Sequence, residues 1–324
     1  MAVLYAAMRF SLRQLEYFIA AGETGSITLA SEVIHISQPS ISTAISHLER
    51  ELNAQLFIRH HAQGLSLTPV GRALLSEAKR VVAQAESLYT IASEAIGTVR
   101  GTLSLGCMVT LAPMLVPELS NGFVAAFPDT TIRHVEGHQE DLLRGLRRSE
   151  VDVALTYDLQ IPDDIAFSPL VSLPPYVVVA ETNPLARHSA ITLQELAEQP
   201  LVLLDLPLSR EYFLALFMAA GVVPTIAARS AHPELVRAMV ANGAGYSLFN
   251  VRPRSDLSLD GRRLISIRLS GEHRPMTIGL ATLGTLARSK LIEAFATHCS
   301  ACISRSYIPG MMAPVMTERT RIEG

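Results

Sequence analysis

Between Ser26 and Arg50 the chain reads SITLASEVIHISQPSISTAISHLER, a stretch dense in hydroxyl side chains. Stepping about 100° per residue along a helix sets Pro39, Thr43, Ser46 and Arg50 on one face, flanked by Ser40, Ser42 and His47. Ile41, Ala44, Ile45, Leu48 and Leu52 fall on the opposite, apolar side. The polar face is small near its N-terminal end and nearly free of acids until Glu49 and Glu51. Short hydroxyls permit close approach to a groove, where donors and acceptors meet base edges. Solvent exposure alone also produces polar helix faces, so the neighbouring elements must decide.

Those neighbours form a helix pair. Ile27, Ala30, Val33 and Ile34 recur at helical spacing and predict one apolar face, followed by a turn at His35-Ile36. Ser37 then stands at an N-cap position, its oxygen free to accept an orphan backbone N–H, and Pro39 falls in the first turn, where a missing N–H costs nothing. Ser26 and Thr28 open the preceding helix, where N–H groups and hydroxyls can hold a phosphate. Leu12, Leu15, Phe18 and Ile19 predict an earlier helix that ends across Gly22–Gly25. Beyond the pair, Leu56-Phe57 and Leu65–Leu67 flank a short hairpin or wing over Ile58–Gly64, with Arg59, His60 and His61 at its tip. Arg59 is placed to reach a phosphate or a minor groove. The two histidines have no supporting ligands, so no metal site is expected.

Four segments carry a resemblance: SLRQLEYF (Ser11–Phe18), SQPSIS (Ser37–Ser42), LERELNAQLFIR (Leu48–Arg59) and LSLTPVG (Leu65–Gly71). Together they closely resemble the N-terminal domain of LysR-type transcriptional regulators, and a looser likeness runs from about Met8 to about Ser304. The resemblance implies a winged helix-turn-helix over residues 8–69 that binds double-stranded operator DNA. Its contacts would come from Ser26, Thr28, Ser37, Gln38, Pro39, Ser40, Ser42, Thr43, Ser46, His47, Arg50 and Arg59. Family members often carry arginine where Thr43 and Ser46 stand. Within Ser11–Pro69 three bases (Arg13, Arg50, Arg59) face five acids (Glu16, Glu23, Glu32, Glu49, Glu51), so 3 − 5 = −2. Electrostatics alone votes against DNA binding. Modest affinity per domain, recovered by using two or more domains on one DNA, is therefore expected.

Gly71 to about Ile96 predicts one long helix, part of a linker over residues 70–100. Leu74, Ala78, Val81, Ala85, Leu88, Ala92 and Ala95 alternate four and three residues apart, the seam of a coiled coil, and suit packing against a second copy. Gly97–Gly101 reads as a hinge. Beyond it strands and helices alternate. Strands are expected at Thr102–Met108, Thr131–Glu136 and Val151–Thr156, with helices at Leu111–Phe127 and Glu140–Arg148. This βαβαβ order predicts a parallel sheet. A second set follows: strands Tyr176–Ala180, Leu201–Leu204, Pro224–Ala228 and Gly245–Val251, and helices Thr192–Glu198, Ser209–Ala220 and Pro233–Ala241. Leu264–Leu269 and Met276–Ala281 are expected to return to the first set, and Ser289–Ile303 to close the fold as a helix. The pattern is an α/β effector domain over 101–304, with lobe 1 about 101–165 and 264–304 and lobe 2 about 166–263. It resembles the two-lobed periplasmic-binding-protein-like effector domain of the same family.

In such sheets ligands bind beyond the carboxyl ends of the strands. Thr110, between strand and helix, would cap Leu111 onward and favour an anion at the helix N-terminus. Family members commonly place a hydroxyl there against an effector carboxylate. Ser209 holds a comparable helix start, and Met108, His138, Leu206, Pro207, Ser247 and Asn250 complete the candidate set. A small organic anion clamped by Thr110 and Ser209 is the expected effector. Cys107 reads as a buried apolar thiol, and Cys299 with Cys302 as structural or incidentally exposed.

The whole chain has 324 residues, 49% of them hydrophobic, enough for two or three domains with sizeable cores. No apolar run approaches the length that spans a bilayer, so no membrane partner is expected. MAVLYAAMRF lacks the parts of a secretory signal, and Met8 would serve as an initiator. Three cysteines make no disulfide framework, and a reducing cytoplasm is the expected location. Residues 305–324 show no clear period and are expected to be disordered or a docking arm. An enzyme is not expected: there is no G-x-S-x-G elbow, Walker loop, GxGxxG opening or metal-ligand cluster. No cofactor is implied. A ligand-responsive regulator, working as a dimer or dimer of dimers and touching RNA polymerase, accounts for more of the chain than a solute-binding protein does, which would leave the helix pair and the seam unexplained.

Overall fold

The computed structural model describes residues 9–60, 64–94, 98–284 and 289–313. His61, Ala95, Ile96, Gly97 and residues 1–8 and 314–324 lie outside the described residues, and with them part of the wing tip, the seam, the hinge and the tail. The chain divides into two compact units, one reaching Gly101 and taking in Arg147–Glu150, the other formed by Thr102–Leu146 and the chain from Val151 onward.

The first unit begins with α1 (Leu12–Thr24), whose N-terminus is closed by a reciprocal pair: Ser11 accepts from the Gln14 N–H while the Gln14 side chain accepts from the Ser11 N–H. Gly25 ends it in the left-handed conformation (φ 62°). Next come α2 (Ile27–Val33) and α3 (Gln38–Glu51), then the antiparallel wing β1 (Phe57–His60) and β2 (Gly64–Leu67), and the long helix α4 (Pro69–Glu94). Phe18, Ala30, Ile41, Ile45, Leu48, Leu56 and Phe57 build one core under the three helices. Phe18 and Phe57 meet edge to face at 5.5 Å. Each fully buried side chain of this size contributes roughly 1.5–3 kcal/mol. At Gly71 an added Cβ would lie 2.2 Å from the Leu56 carbonyl oxygen, so only glycine lets α4 start beside β1. Val33 departs from its expected place in the apolar face: it is 66% exposed, because α2 is two turns long and buries only Ala30 fully.

The second unit holds two sheets. Its elements are β3 (Gly101–Met108), α5 (Ala112–Ala126), β4 (Thr130–Gly137), α6 (Gln139–Arg147), β5 (Val153–Tyr157), β6 (Ile165–Leu173), β7 (Tyr176–Ala180), β8 (Ala190–Ile191) and α7 (Leu193–Leu196). Then follow β9 (Pro200–Leu204), α8 (Pro207–Ala219), β10 (Thr225–Ser230), α9 (Pro233–Ala241), β11 (Tyr246–Phe249), β12 (Leu264–Leu269), β13 (Met276–Leu283) and α10 (Lys290–Cys302). One sheet has the order β4-β3-β5-β13-β6 and the other β10-β9-β11-β7-β12-β8.

Several expectations change here. The sheets are mixed: β3 and β5 run parallel, but β13 pairs antiparallel with both β5 and β6. β12 belongs to the second sheet, pairing Leu264 with Ala180 and Leu269 with Ile191, so the return crossing falls after residue 269 and not before 264. β6, unexpected from the sequence, puts 165–173 in the first lobe. Its register shifts against β13 and its core pattern is broken by Pro169, which hides it from a period-two reading. The tail through Ala313 is packed: Ile308 and Met311 are buried, Met311 bridges Pro253, and Arg254 lies over the Tyr307 ring at 5.3 Å.

Candidate functional site

The first unit carries the polar helix face. Gln38, Pro39, Ser40, Thr43, Ser46 and Arg50 are exposed along α3, with Ser42 and His47 half-buried at its margin. Thr28 on α2 and Arg59 on the wing are also exposed, and Ser26 caps α2 by accepting from the Leu29 N–H. Ser37 does not cap α3 as expected: its hydroxyl pairs with the Ser40 hydroxyl at 2.8 Å, which leaves the first-turn N–H groups open. His47 is bonded to the Gln14 amide at 3.1 Å and lies 3.9 Å from Glu51, so α1 sets its orientation.

Two of the five acids that count against DNA, Glu49 and Glu23, are engaged within the unit. One oxygen of Glu49 accepts from the N–H groups of Leu56 (2.8 Å) and Phe57 (3.2 Å), holding the start of the wing. Glu23 is paired with Lys79 at 2.7 Å, a lysine beyond the stretch over which charge was counted. What α3 presents is hydroxyl groups, Gln38 and Arg50. Further on, Val81 (39%) and Leu88 (64%) are exposed on α4.

The second unit contains a pocket between its lobes. Thr110, Met114, Tyr157 and Met276 line it from the first lobe; Ser209, Phe213, Glu234, Arg237, Phe249 and Asn250 are among those lining it from the second. This suits a small molecule held by apolar walls and a few polar groups. Of the expected residues, Thr110, Ser209 and Asn250 are brought together. Met108, Leu206 and Ser247 are buried outside the lining, Pro207 is exposed at the first position of α8, and His138 is exposed after β4.

Thr110 plays a part different from the expected cap. Helix α5 starts at Ala112 without a side-chain cap, and the Thr110 hydroxyl instead bonds the Tyr157 hydroxyl at 3.1 Å. Burial pushes the Tyr157 phenol far up, so it stays a neutral hydrogen-bonding group. On the other side Asn250 donates to the Leu173 carbonyl at 2.8 Å and to the Tyr212 hydroxyl at 3.3 Å. Burial pushes the Tyr212 phenol up to about 12.

Three helices start at this pocket, and all three start uncapped. α1, α2, α7 and α10 begin under the side-chain oxygens of Ser11, Ser26, Thr192 and Ser289. α5, α8 and α9 begin at Leu111, Leu206 and His232 with no side-chain cap and with proline in the first two positions. Their first turns supply Met114, Ser209 and Glu234 to the lining. Open N–H groups and the positive helix ends favour an anion there. Arg237 adds a full charge: it is 5% exposed, and its Nη2 donates to the carbonyls of Ser255 (3.0 Å) and Leu257 (3.1 Å).

Tyr157, Glu234 and Arg237 were not anticipated. Tyr157 directly follows Thr156, the expected end of its strand, and Arg237 is the lone cation in PELVRAMVA, a helix whose only other charge is Glu234 in its first turn. A buried charge in such a helix is the signal that could have found it. Burial pushes the Cys107 and Cys299 thiols up, which fits inert core cysteines. No group of metal-ligating side chains occurs among the described residues, and no described helix is long and apolar enough to cross a membrane.

Comparison with known proteins finds a match for each of the two parts of the chain. Residues 12–72 match the bacterial regulatory helix-turn-helix protein, lysR family, and residues 97–302 match the LysR substrate binding domain. The chain is 30% identical over 292 residues to the HTH-type transcriptional regulator YybE of Bacillus subtilis, covering 87% of this chain and 95% of that one. It is 26% identical over 304 residues to the HTH-type transcriptional regulator CysB of Haemophilus influenzae, covering 92% of each. The crystal structure of HinK, a LysR family transcriptional regulator from Pseudomonas aeruginosa, superposes with a TM-score of 0.62 at 33% identity, over 90% of this chain and 98% of that one. With its DNA-reading unit and its two-lobed effector domain both matched, the chain belongs to the LysR family of DNA-binding transcriptional regulators.

Proposed function

We propose that the chain reads operator DNA through α3, the start of α2 and the wing, and that a small organic anion held in the interlobe pocket modulates this reading. The DNA contacts are assigned to Ser26, Thr28, Ser37, Gln38, Pro39, Ser40, Ser42, Thr43, Ser46, Arg50 and Arg59, with His47 as a positioning residue at the edge. The effector contacts are assigned to Thr110, Tyr157, Ser209, Arg237 and Asn250. The observation that carries the effector reading is the convergence of three uncapped helix starts and one buried arginine on a pocket between two lobes. Lobes that close on an anion change the arrangement of the domain, by no more than the ligand's differential affinity for the two arrangements.

The protein acts as a dimer through α4, on which Val81 and Leu88 stand exposed in the seam, and pairs of dimers on one operator offset the weakness of a single arginine-poor head. RNA polymerase is the natural further partner of a regulator so placed. A gel shift and footprint on DNA upstream of the protein's own gene, with and without a panel of small carboxylates, tests the reading. A protected pseudo-palindrome whose footprint changes with one acid is the expected result. A folded dimer that protects nothing at low salt overturns the DNA assignment, and a footprint blind to every acid overturns the effector assignment.

A further inference from the structure

We propose that Glu234 is a built-in competitor for the effector's anionic group: it stands beside Arg237 where that group would bind and so raises the concentration at which the regulator responds. This rests on the reading of the pocket as an anion site.

Glu234 sits in the first turn of α9, and its Oε2 lies 3.6 Å from the Nε of Arg237. That separation is an ion pair but too long for a hydrogen bond. The Arg237 Nε is closed off from solvent and has no hydrogen-bond partner among the described residues. A guanidinium N–H in that condition calls for an acceptor, and the carboxylate nearby supplies only charge. The two partners differ in freedom. Arg237 is buried and tied to the Ser255 and Leu257 carbonyls, so it cannot follow a ligand. The Glu234 side chain is 46% exposed and can swing to water.

An incoming carboxylate that uses the start of α9 and Arg237 meets the Glu234 charge in the same place. Binding then requires Glu234 to leave, and the cost of parting it from Arg237 and from its helix end is subtracted from the ligand's affinity. The reverse role, Glu234 as a partner for a ligand ammonium, is disfavoured by the Arg237 charge at its side.

The test is isothermal titration of acetate, benzoate and succinate into the full-length protein, as wild type, Glu234→Gln and Thr110→Val, with glycine as the zwitterionic arm. Thermal unfolding of each variant confirms that it folds. Glu234→Gln is expected to bind the carboxylates about two- to fivefold more tightly than wild type, the scale of a half-exposed charge interaction, while Thr110→Val binds them more weakly. Unchanged or weaker carboxylate binding by Glu234→Gln, with Thr110→Val still impaired, overturns the competitor role and leaves the anion pocket standing. Glycine binding that is lost in Glu234→Gln also overturns it, by making Glu234 an ammonium contact. Carboxylate binding that is absent in wild type and Glu234→Gln alike overturns the pocket reading itself, and the competitor role with it.

Discussion

Helix α3 begins without a side-chain cap, and so do α5, α8 and α9 around the pocket, but the two places put that same feature in opposite surroundings. At α3 the first-turn residues Gln38, Pro39 and Ser40 are all exposed. The open N–H groups of Gln38 and Ser40 (Pro39 has none) lie at an exposed helix start, where charge interactions are screened and each contact is weak. Around the pocket Ser209 and Thr110 are buried, Met114 and Glu234 half-buried, and Arg237 almost wholly enclosed. There the same helix ends act in a less polar medium and on one small molecule. An open surface of weak contacts suits a long polyanion and gains strength by repetition; a closed one suits a single charge and gains strength by depth.

The comparison breaks most visibly through the cores. Phe18→Ala removes a fully buried ring packed on Phe57 and is expected to destabilise the DNA-reading unit by about 3–5 kcal/mol. Calorimetry should then show that unit melting early while carboxylate binding persists; loss of both together would mean that the two units do not fold independently. Next in size, Thr110→Val leaves the buried Tyr157 hydroxyl without its partner and is expected to weaken effector binding by about 1–3 kcal/mol. The check is effector titration beside a gel shift, and an equal loss of DNA binding would make Thr110 a structural residue only. Thr43→Ala should alter operator preference by about 1 kcal/mol at the base pair it faces, read by competition between operator variants. The smallest expected change is at Arg50: Arg50→Ala should weaken binding to all sequences alike and lower the salt slope by about one phosphate contact. A sequence-dependent loss would move Arg50 from backbone to base.

Much of this was legible from periodicity. The apolar stripe of α3, the boundaries of β7, α9 and β12 and the alternation of strands and helices all follow from local spacing. Partnership was not. β12 reads as a strand from its own residues, but only its pairing with Tyr176–Ala180 assigns it to the second sheet. Ser37 and Thr110 occupy cap positions by sequence, and each hydroxyl is taken by another, Ser40 and Tyr157. The choice between a backbone N–H and a hydroxyl turns on angles that residue type does not encode. The sequence does not reveal Arg237 and Glu234 as pocket residues for a related reason: their place depends on how α9 packs on the second sheet and against the Ser255 and Leu257 carbonyls, a long-range fact. The charge count over Ser11–Pro69 gives number without direction: it does not show that a Glu49 oxygen is turned to the backbone of the wing.

The position of β13 between β5 and β6 bears on how the protein comes off the ribosome. The first lobe's sheet is open down its middle until Met276–Leu283 has been synthesised, long after β3, β4, β5 and β6 have emerged. The second sheet, by contrast, is complete once Leu264–Leu269 is available. The lobe encoded first is therefore the one finished last, and β5 and β6 wait with unpaired edges for most of the time taken to make the second lobe. A chain that stops near Ser270 would carry a finished second sheet beside a split first one, with the facing edges of β5 and β6 open to pairing with another chain.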